Sequence, residues 1–257
     1  MSGEVGPAVV TAALVIIGNE ILSGRTQDAN LAWIARRLGE LGIRLGEVRV
    51  VADRDDAIGA AVNGLRATHD YVFTTGGIGP THDDITARAL AAAFRRRLAP
   101  DAEAVRRLEA HYARSGIEFN RARMKMAEVP EGARLIDNPV SAAPGFQIEN
   151  VFVLAGVPAI MQAQFDGLGE RLLGGAPLVV RTLGCRLPEG TLAPGLGDIQ
   201  AAFADVEIGS YPYYRQGDFG VKLVLRAADA GRLDAAVRRV MALVDDLGGA
   251  PVEEPPV

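Results

Sequence analysis

The sequence predicts an α/β fold, in which a mostly parallel sheet lies between two layers of helices, followed by a small α+β domain. Three features of the 257 residues lead to this prediction. Apolar runs alternate with amphipathic segments in the first half of the chain, a Gly-rich loop joins one run to a helical segment, and the order of segments changes after Gly-Gly-Ala-Pro at 174–177. Alternating strands and helices are typical of a parallel sheet that is covered on both faces.

The first strands and helices follow from hydrophobic spacing. Residues 12–17 (Ala-Ala-Leu-Val-Ile-Ile) form an unbroken apolar run that stops at Gly18, which is typical of a strand buried on both faces. Residues 27–41 place apolar side chains at helical spacing, and Gly42 ends this helix. The same reasoning predicts strands at 43–51 and 70–75 and helices at 55–67 and about 83–97.

Residues 100–173 complete the first predicted domain. The pattern over 100–128 indicates helix in two pieces, with a break near Ser115-Gly116. A final helix is predicted from Pro158 to about residue 173, with proline well suited to its first turn. Three short strands are predicted between these helices, at 133–136, 145–149 and 151–155.

The change of order after the linker at 174–177 indicates a second domain. A β-α-β-β-α order follows, which suits a small α+β domain, and the Pro- and Glu-rich tail is expected to be disordered. The predicted elements are a strand at 178–184, a helix at about 197–204, strands at 206–213 and 218–227, and a helix at 230–247. The predicted boundaries are 8–174 and 177–249 for the two domains and 250–257 for the tail.

Composition excludes several classes of protein. Apolar residues make up 49% and charged residues 23%, which rules out a mainly disordered chain. Cys185 is the single cysteine, so an intramolecular disulfide and a Cys-rich zinc site are excluded. The net charge is −5, without the basic excess that nucleic-acid binding requires, and no apolar run approaches the length of a membrane span. We therefore expect a cytoplasmic protein that binds neither nucleic acid nor membranes.

The strongest functional motif is the loop Thr-Thr-Gly-Gly-Ile-Gly-Pro-Thr-His-Asp-Asp-Ile-Thr at 74–86. It joins a buried strand to a helix, and open parallel sheets bind ligands at the carboxyl ends of their strands. Gly76, Gly77 and Gly79 would let backbone N–H groups approach an anion closely, beside a helix N-terminus that favours negative charge. A tight turn without a ligand is the alternative.

Two adjacent aspartates, Asp83 and Asp84, follow these glycines and are expected at the start of the next helix. One of them could serve only as a helix cap, because aspartate is common at that position. Two carboxylates beside a phosphate site would repel the ligand unless a cation bridges them. This repulsion is the argument for Mg²⁺ or another divalent cation.

Further segments lie where they can face the same crevice. Gly-Asn-Glu-Ile-Leu-Ser-Gly at 18–24 follows the first strand, and Asp53 follows the second strand. Short turns at 143–146 (Ala-Pro-Gly-Phe) and 156–158 (Gly-Val-Pro) complete the set. The alternatives are an ordinary βα loop, a capping or turn aspartate, and simple turns.

These segments, taken together, resemble a known family. The matching pieces are GNEILSG at 18–24, Asn30, VAD at 51–53, TTGGIGPTHDDIT at 74–86, FNRA at 119–122, PEGA at 130–133, AAPGF at 142–146 and GVP at 156–158. They resemble the MoaB/Mog molybdopterin-binding family, and most of all the branch at the N-terminus of CinA (competence/damage-inducible) proteins and of eukaryotic FAD synthase. The resemblance extends over about 10–173, and its glycine–aspartate string is highly specific.

The resemblance implies a three-layer αβα domain that forms a homo-oligomer, a dimer or a trimer, and binds a pterin or a nucleotide diphosphate. In adenylyltransferase members of the family the catalytic carboxylates match Asp84 and Asp53, which would also hold the metal ion. In the CinA-like branch the implied activity is metal-dependent cleavage of a nucleotide diphosphate such as ADP-ribose or FAD. The residues expected to bind the pterin or the nucleotide phosphates are Gly18, Glu20, Asn30, Thr75, Gly76, Gly77, Gly79, Thr81, Asp83, Pro144, Gly145, Gly156 and Pro158.

The sequence departs from the family pattern at defined places. Ile160 stands where the CinA-like branch usually has a carboxylate, and Ser141-Ala-Ala-Pro replaces a Gly-Thr-Ala-Pro-like string. Residues 178–247 resemble the KH-like domain of CinA proteins, without a match to the deamidase domain that usually comes third. Their one Gly-x-x-Gly sequence, at 217–220, lies between two predicted strands and is typical of a hairpin turn.

Three functions remain open at this point. The first is a Mg²⁺-dependent enzyme of nucleotide or pterin phosphate chemistry, a pyrophosphatase or an adenylyltransferase of molybdenum cofactor biosynthesis, which the retained Asp53 and Asp84 favour. The second is a non-catalytic molybdopterin- or nucleotide-binding protein, which Ile160 favours. The third is an oligomeric interaction module, and the specific glycine string argues against it.

Overall fold

The computed structural model describes residues 9–215 and 218–255. The chain forms two compact units, Met1–Gly175 and Ala176–Val257. Among the described residues no helix is both long and apolar enough to cross a bilayer.

The first unit alternates strands and helices, as its hydrophobic spacing predicts. Its elements are β1 (Val10–Ile17), α1 (Asn19–Leu22), α2 (Asn30–Glu40), β2 (Ile43–Val51), α3 (Asp55–Arg66), β3 (Tyr71–Thr75), α4 (Thr86–Ala93), β4 (Leu98–Pro100), α5 (Ala102–Ser115), α6 (Arg121–Met124), β5 (Glu128–Pro130), β6 (Arg134–Ile136), β7 (Gly145–Ile148), β8 (Val151–Leu154) and α7 (Pro158–Asp166).

The central sheet of this unit has six strands in the order β2-β1-β3-β8-β7-β6. β1 pairs in parallel with β2 and β3, and β3 pairs in parallel with β8. β7 runs antiparallel to both of its neighbours. The sheet is therefore mostly parallel, and the predicted fold class is confirmed.

Helices cover both faces of this sheet. Ala13, Val15 and Ile17 of β1 pack in one core with residues of α3 and α4. The alternate residues of β1, such as Leu14 and Ile16, pack in a second core with α2 and α7. The unbroken apolar sequence of β1 is thus explained, because successive side chains enter two different cores.

The second unit is a four-stranded antiparallel sheet with two helices. Its strand order is β10-β11-β9-β12, and the side chains of both helices join one core with one face of the sheet. Fully buried leucines include Leu183 of β9, Leu192 of the first helix and Leu223 of β11. Its elements are β9 (Val179–Cys185), α8 (Glu189–Ala202), β10 (Glu207–Arg215), β11 (Asp218–Ala227), α9 (Ala230–Asp246) and β12 (Val252–Glu254).

The prediction of a disordered tail at 250–257 is wrong for Val252–Glu254, which form strand β12. This strand pairs antiparallel with β9 and occupies an edge of the sheet. Glu254 also forms an ion pair with Lys222, with 2.6 Å between carboxylate oxygen and ammonium nitrogen. Backbone pairing and side-chain charge together order a sequence whose composition suggests disorder.

Helix α8 begins at Glu189, eight residues before the predicted start at 197. Glycines and Pro194, which is inside the helix, obscure its helical pattern in the sequence. Leu192, Leu196 and Ile199 are nevertheless buried at helical spacing. Tertiary packing therefore stabilises a helix that local propensity does not favour.

Candidate functional site

The Gly-rich loop leaves β3 at the carboxyl edge of the parallel sheet and has a conformation that requires glycine. Gly76 and Gly77 have φ angles of 101° and 68°. A Cβ atom at Gly76 would lie 2.3 Å from the carbonyl oxygen of Ile17, and one at Gly77 would lie 2.2 Å from the hydroxyl oxygen of Thr86. Both approaches are far inside normal contact distance, so these glycines fix the shape of the loop.

Thr86, the first residue of α4, holds this loop in place. Its hydroxyl group donates a hydrogen bond to the carbonyl oxygen of Gly76 at 3.0 Å. Its backbone N–H donates to the carbonyl oxygen of Gly77 at 3.0 Å. The side chain of Thr86 is fully buried, so the loop is tied to the helix start by polar contacts that exclude water.

The prediction that Asp84 lies at a helix start is wrong. Asp84 lies in a separate turn before helix α4. Its Oδ2 atom accepts hydrogen bonds from the Thr81 backbone N–H at 2.8 Å and from the Thr81 hydroxyl. The turn is closed by the Asp84 N–H, which donates to the Thr81 carbonyl oxygen at 3.3 Å. The aspartate–threonine contacts form this turn, and α4 begins only at Thr86, so the expected helix start at about 83 is wrong for the same reason.

Gly79 makes room for the Asp84 carboxylate. A Cβ atom at Gly79 would lie 2.7 Å from the Asp84 Oδ2 atom. The third glycine of the string therefore serves the position of the carboxylate, whereas the first two set the path of the loop.

The glycine loop and Asp84 line a cavity of about 600 Å³. A volume of this size is typical of small-molecule sites. Polar and apolar groups share the wall, which suits a ligand with a charged part and a flat apolar part. The lining residues are Gly77, Ile78, Gly79, Asp84, Ile85, Ala87, Arg88, Leu98, Arg121, Ala122, Met124, Lys125, Met126, Glu128, Val129, Pro144 and Phe146.

Three cations in this wall, Arg88, Arg121 and Lys125, were not predicted as site residues, and Arg88 is paired with Asp55. Lys125 donates a hydrogen bond from its ammonium group to the Thr81 carbonyl oxygen at 2.5 Å, so it lies against the turn that holds Asp84. Asn120 caps the helix that carries Arg121, because its side chain accepts the Arg123 N–H at 3.1 Å. The signal in the sequence is a pair of basic residues four positions apart, of which the first is the arginine of the FNRA piece.

Asp53 lies in a different cleft, of about 580 Å³, which shares Ile85 and Arg88 with the first cavity. Its Oδ2 atom accepts a hydrogen bond from the Asn19 backbone N–H at 2.8 Å, which joins β2 to the loop after β1. Asp83 also lines this second cleft. The two predicted catalytic aspartates are therefore divided between two adjoining cavities.

The environment of Asp83 favours its charged form. The pKa of its carboxyl group is lowered, first by the nearby Thr81 side chain and then by its own backbone N–H. The positive charge of Lys125 acts in the same direction. The carboxylate is thus anionic at neutral pH.

The acidic residues do not form a complete metal site by themselves. Within 9–215 and 218–255, no three His, Cys, Asp or Glu side chains lie together so that they could hold one metal ion. Magnesium ions, however, are commonly held by one or two carboxylates together with substrate phosphates. The donor set at Asp84 fits a cation that arrives with a phosphate-bearing ligand, and does not fit a resident ion.

Several other predicted binding residues pack within the protein at the carboxyl edge of the sheet. The Asn30 side-chain N–H donates to the carbonyl oxygen of Gly156 at 2.8 Å, which joins α2 to the loop before α7. A Cβ atom at Gly156 would lie 3.3 Å from the Gly76 Cα atom. Among the described residues, the buried Thr75 hydroxyl and the Asn30 Oδ1 atom have no hydrogen-bond partner.

The remaining predicted residues are divided between structural positions and the cavity. Gly18 follows β1, and its N–H donates to the Val51 carbonyl oxygen at 3.2 Å. A Cβ atom at Gly18 would lie 2.4 Å from a carboxylate oxygen of Glu20, so that side chain folds back over the glycine. Gly145 begins β7 and Pro158 begins α7, whereas Pro144 lines the first cavity.

The fold and the cavity place the first unit among α/β domains with a glycine-rich loop at the carboxyl edge of a parallel sheet. Residues 13–174 match the family described as probable molybdopterin binding domain. The chain belongs to this family, as the resemblance in its sequence predicts, and it is of the CinA-like kind. Residues 177–248 match a second family, the middle domain of FAD synthase.

Similar proteins and structures agree with this assignment. A protein of Aeropyrum pernix is 34% identical, with 94% of this chain and 96% of that protein aligned. The probable FAD synthase of Caenorhabditis elegans is 32% identical over 93% of this chain, which spans 50% of that longer protein. The crystal structure of CinA from Thermoplasma acidophilum, a protein of unknown function, is 34% identical with a TM-score of 0.58 and covers 64% of this chain and 99% of its own.

Proposed function

We propose that the first unit is an enzyme that cleaves a nucleotide diphosphate, such as ADP-ribose or FAD, in a Mg²⁺-dependent reaction. The alternative reaction is adenylyl transfer to molybdopterin, in molybdenum cofactor biosynthesis, in which the pterin phosphate and not water attacks phosphorus. One observation carries this proposal: the glycine loop, Asp84, Arg121 and Lys125 all line one cavity of about 600 Å³.

The cavity wall suits the two ends of such a ligand. Arg121 and Lys125 supply positive charge for phosphate oxygens, and the backbone of the glycine loop allows close approach. Met124, Met126 and Phe146 supply apolar and aromatic surface against which an adenine, flavin or pterin ring can pack. The diphosphate would lie between the loop and α6.

Asp84 is the residue that we propose as catalytic. Its Oδ2 atom is held by Thr81, and its Oδ1 atom accepts no hydrogen bond from the described residues. A divalent cation brought in with the ligand would be held by Asp84 and phosphate oxygens, and it would neutralise charge that develops on the phosphoryl group. Asp53, from the adjoining cleft, is the second carboxylate that we propose near the cation.

The names of similar proteins support nucleotide chemistry without fixing the reaction. The aligned Caenorhabditis elegans protein is named probable FAD synthase, and the second unit matches the middle domain of FAD synthase. We further propose that the predicted site residues bind the ligand, that the protein forms a homo-oligomer and that it is located in the cytoplasm.

A second candidate is a binding protein that performs no chemistry. The specific observation in its favour is the separation of Asp53 from the first cavity, together with Ile160 in place of a carboxylate in α7. In this case the pocket would hold a molybdopterin or a nucleotide and present it unchanged.

The two candidates are separated by one set of assays on the full chain. Purified protein is incubated with Mg²⁺, Mn²⁺ or Co²⁺ and ADP-ribose, with FAD, or with molybdopterin plus ATP, and the products are separated by chromatography. We expect metal-dependent cleavage of a nucleotide diphosphate. Saturable binding of these ligands by calorimetry with no product would support the second candidate, and the absence of binding would contradict both.

A further inference from the structure

A separate cavity of about 610 Å³ lies at the C-terminal ends of α3 and α4. These ends are remote from the glycine loop, because α4 begins beside that loop and runs away from it. The lining residues are Asn63, Arg66, Ala67, Ala93, Phe94 and Arg95. Two of the six, Arg66 and Arg95, carry guanidinium groups.

Arg95 occupies a backbone position that is normally taken by glycine. Its φ angle is 54°, in the left-handed region. The Arg95 N–H donates to the carbonyl oxygen of Ala92 at 3.1 Å, and the Arg96 N–H donates to that of Ala91 at 2.8 Å, which together end α4. Glycine is favoured at such a helix end, because any side chain there is strained. A strained residue with a charged side chain at a cavity is a reason to consider function.

Arg66 is held rigidly on the other side of this cavity. Its Nε atom donates to the Asn63 side-chain oxygen at 2.9 Å, and its Nη1 atom donates to a carboxylate oxygen of Glu149 at 2.8 Å. Its guanidinium carbon lies 4.1 Å from the centre of the Phe94 ring. The guanidinium plane is therefore fixed before any ligand arrives, and among the described residues its Nη2 atom makes no hydrogen bond.

The local charge is strongly positive, although the whole chain carries −5. Arg95, Arg96 and Arg97 are consecutive and exposed. Arg97 has Glu131 at 3.9 Å, whereas Arg95 and Arg96 have no carboxylate partner among the described residues. Among the described residues, Glu149 is the one acidic side chain paired with Arg66, and it contacts only the Nη1 atom of the guanidinium group.

We propose that this cavity is a second anion site, which binds a diphosphate group between the guanidinium groups of Arg66 and Arg95. A fixed, planar guanidinium binds phosphate oxygens in pairs, and a diphosphate offers enough oxygens for two such groups. The diphosphate can be inorganic or part of a nucleotide, and the volume accommodates either. This site is independent of the reaction proposed for the first cavity.

The test uses inorganic diphosphate without metal ions, on a full-length Arg121→Gln/Lys125→Gln background that weakens anion binding in the first cavity. Calorimetry is expected to show one remaining saturable site. Adding Arg95→Gly should reduce its affinity at least about tenfold, as loss of a charged hydrogen-bonding group does. Arg95→Lys keeps the charge without the planar fork and should bind with intermediate affinity. ADP and AMP, titrated in parallel, show whether the nucleoside contributes.

A readout of folding separates this role from a purely structural one. Arg95→Gly relieves the strained φ angle, so its melting temperature without ligand should equal or exceed that of the parent, while the rise caused by diphosphate is lost. Arginines at helix ends can also simply balance the helix dipole. In that case Arg95→Gly lowers the melting temperature and diphosphate has no effect on either protein. No remaining site on the background variant, or unchanged affinity in Arg95→Gly, would overturn the proposal.

Discussion

Among single residues, the Asp84 carboxylate is held in place by its neighbours. Thr81 supplies two donors to its Oδ2 atom, and Lys125 binds the carbonyl oxygen of the same threonine. Gly79 leaves space for the carboxylate. The sequence identified the aspartate and the threonine, but the lysine lies 41 residues beyond Asp84 and is joined to it only by tertiary structure.

Asp70 gives a test of electrostatics away from the site. Its carboxylate accepts the Thr11 backbone N–H at 2.7 Å and the Thr11 hydroxyl at 2.9 Å, and its pKa is lowered, first by the backbone N–H and next by the hydroxyl. A lowered pKa in the folded state stabilises the protein above the unfolded value of about 4, and this stability is lost as the pH falls through the folded value.

The substitution Asp70→Asn should therefore reduce the free energy of unfolding by about 1 kcal/mol at pH 7, a small figure because the group is exposed. The difference between the two proteins should shrink below about pH 4. Urea titrations at a series of pH values measure it, with Glu118→Gln, an exposed carboxylate, as the control. A difference that stays constant from pH 7 to pH 2 would contradict the assignment.

At the scale of elements, the loop after β3 connects sequence to site most directly. Gly77 and Gly116 have nearly equal φ angles of 68° and 65°, but an added Cβ meets the Thr86 hydroxyl at 2.2 Å only at Gly77. At Gly116 nothing lies within 4 Å. The pair therefore separates the cost of a positive φ angle from the cost of a collision.

Gly116→Ala is expected to cost about 1 kcal/mol of stability, from backbone strain alone. Gly77→Ala should cost at least about 1 kcal/mol more and should also weaken nucleotide binding, since the loop must shift away from Thr86. Denaturant melts and calorimetric titrations measure both effects. Equal stability losses, with unchanged affinity in Gly77→Ala, would show that the loop is only a turn.

Strong hydrophobic patterns made most elements predictable. β1 carries an apolar run, β2 alternates apolar with polar residues, and α9 has a regular amphipathic pattern, so all three were found close to their observed limits. Some short elements were missed: α1, β4 and β5 have three or four residues each, which gives too few positions for a periodic signal, although β6, β7 and β8 are equally short and were predicted. β12 and the first half of α8 were missed because their partners, and not their own sequences, stabilise them.

At the scale of the whole molecule, the two units give a direct prediction about proteolysis. The chain remains bound to the first unit up to Gly175, whose N–H donates to the Gly42 carbonyl oxygen at 3.2 Å, and Ala176 and Pro177 are exposed. Limited digestion with proteinase K should cut first near 174–177 and leave a stable fragment that ends close to Gly175. Mass spectrometry identifies the cut, and first cuts within 76–155 would contradict the boundary.

The second unit should not bind nucleic acid. Residues 175–257 hold 8 basic and 11 acidic side chains, so counterion release offers little affinity. Gly217 of the Gly-x-x-Gly sequence lies outside the described residues, and Gly220 is within β11, where it pairs with Tyr213 of β10. Tyr211 is exposed, and stacking alone should give only weak binding.

Anisotropy titrations with mixed RNA and single-stranded DNA at physiological salt test this prediction. We expect no saturation up to about 10 µM, since a unit with an acidic excess should bind more weakly than the roughly 1–100 µM that is typical of nonspecific DNA binding at such salt. Saturable binding at or below micromolar concentrations that is lost in Tyr211→Ala/Tyr213→Ala would contradict it.

Turnover of Asp84→Asn tests most directly whether Asp84 acts on a phosphate-bearing ligand in the first cavity. Asparagine keeps an oxygen that can accept the Thr81 donors, so the turn and the melting temperature should be retained while the charge is lost. Metal-dependent cleavage of the best nucleotide diphosphate should fall at least about 100-fold, as is common when a charge-stabilising catalytic group is removed. Asp53, in the adjoining cleft, is the second proposed carboxylate, and the turnover of Asp53→Asn is measured in the same assay. Turnover of Asp84→Asn close to that of the parent protein, with the substrate still bound, would contradict the account.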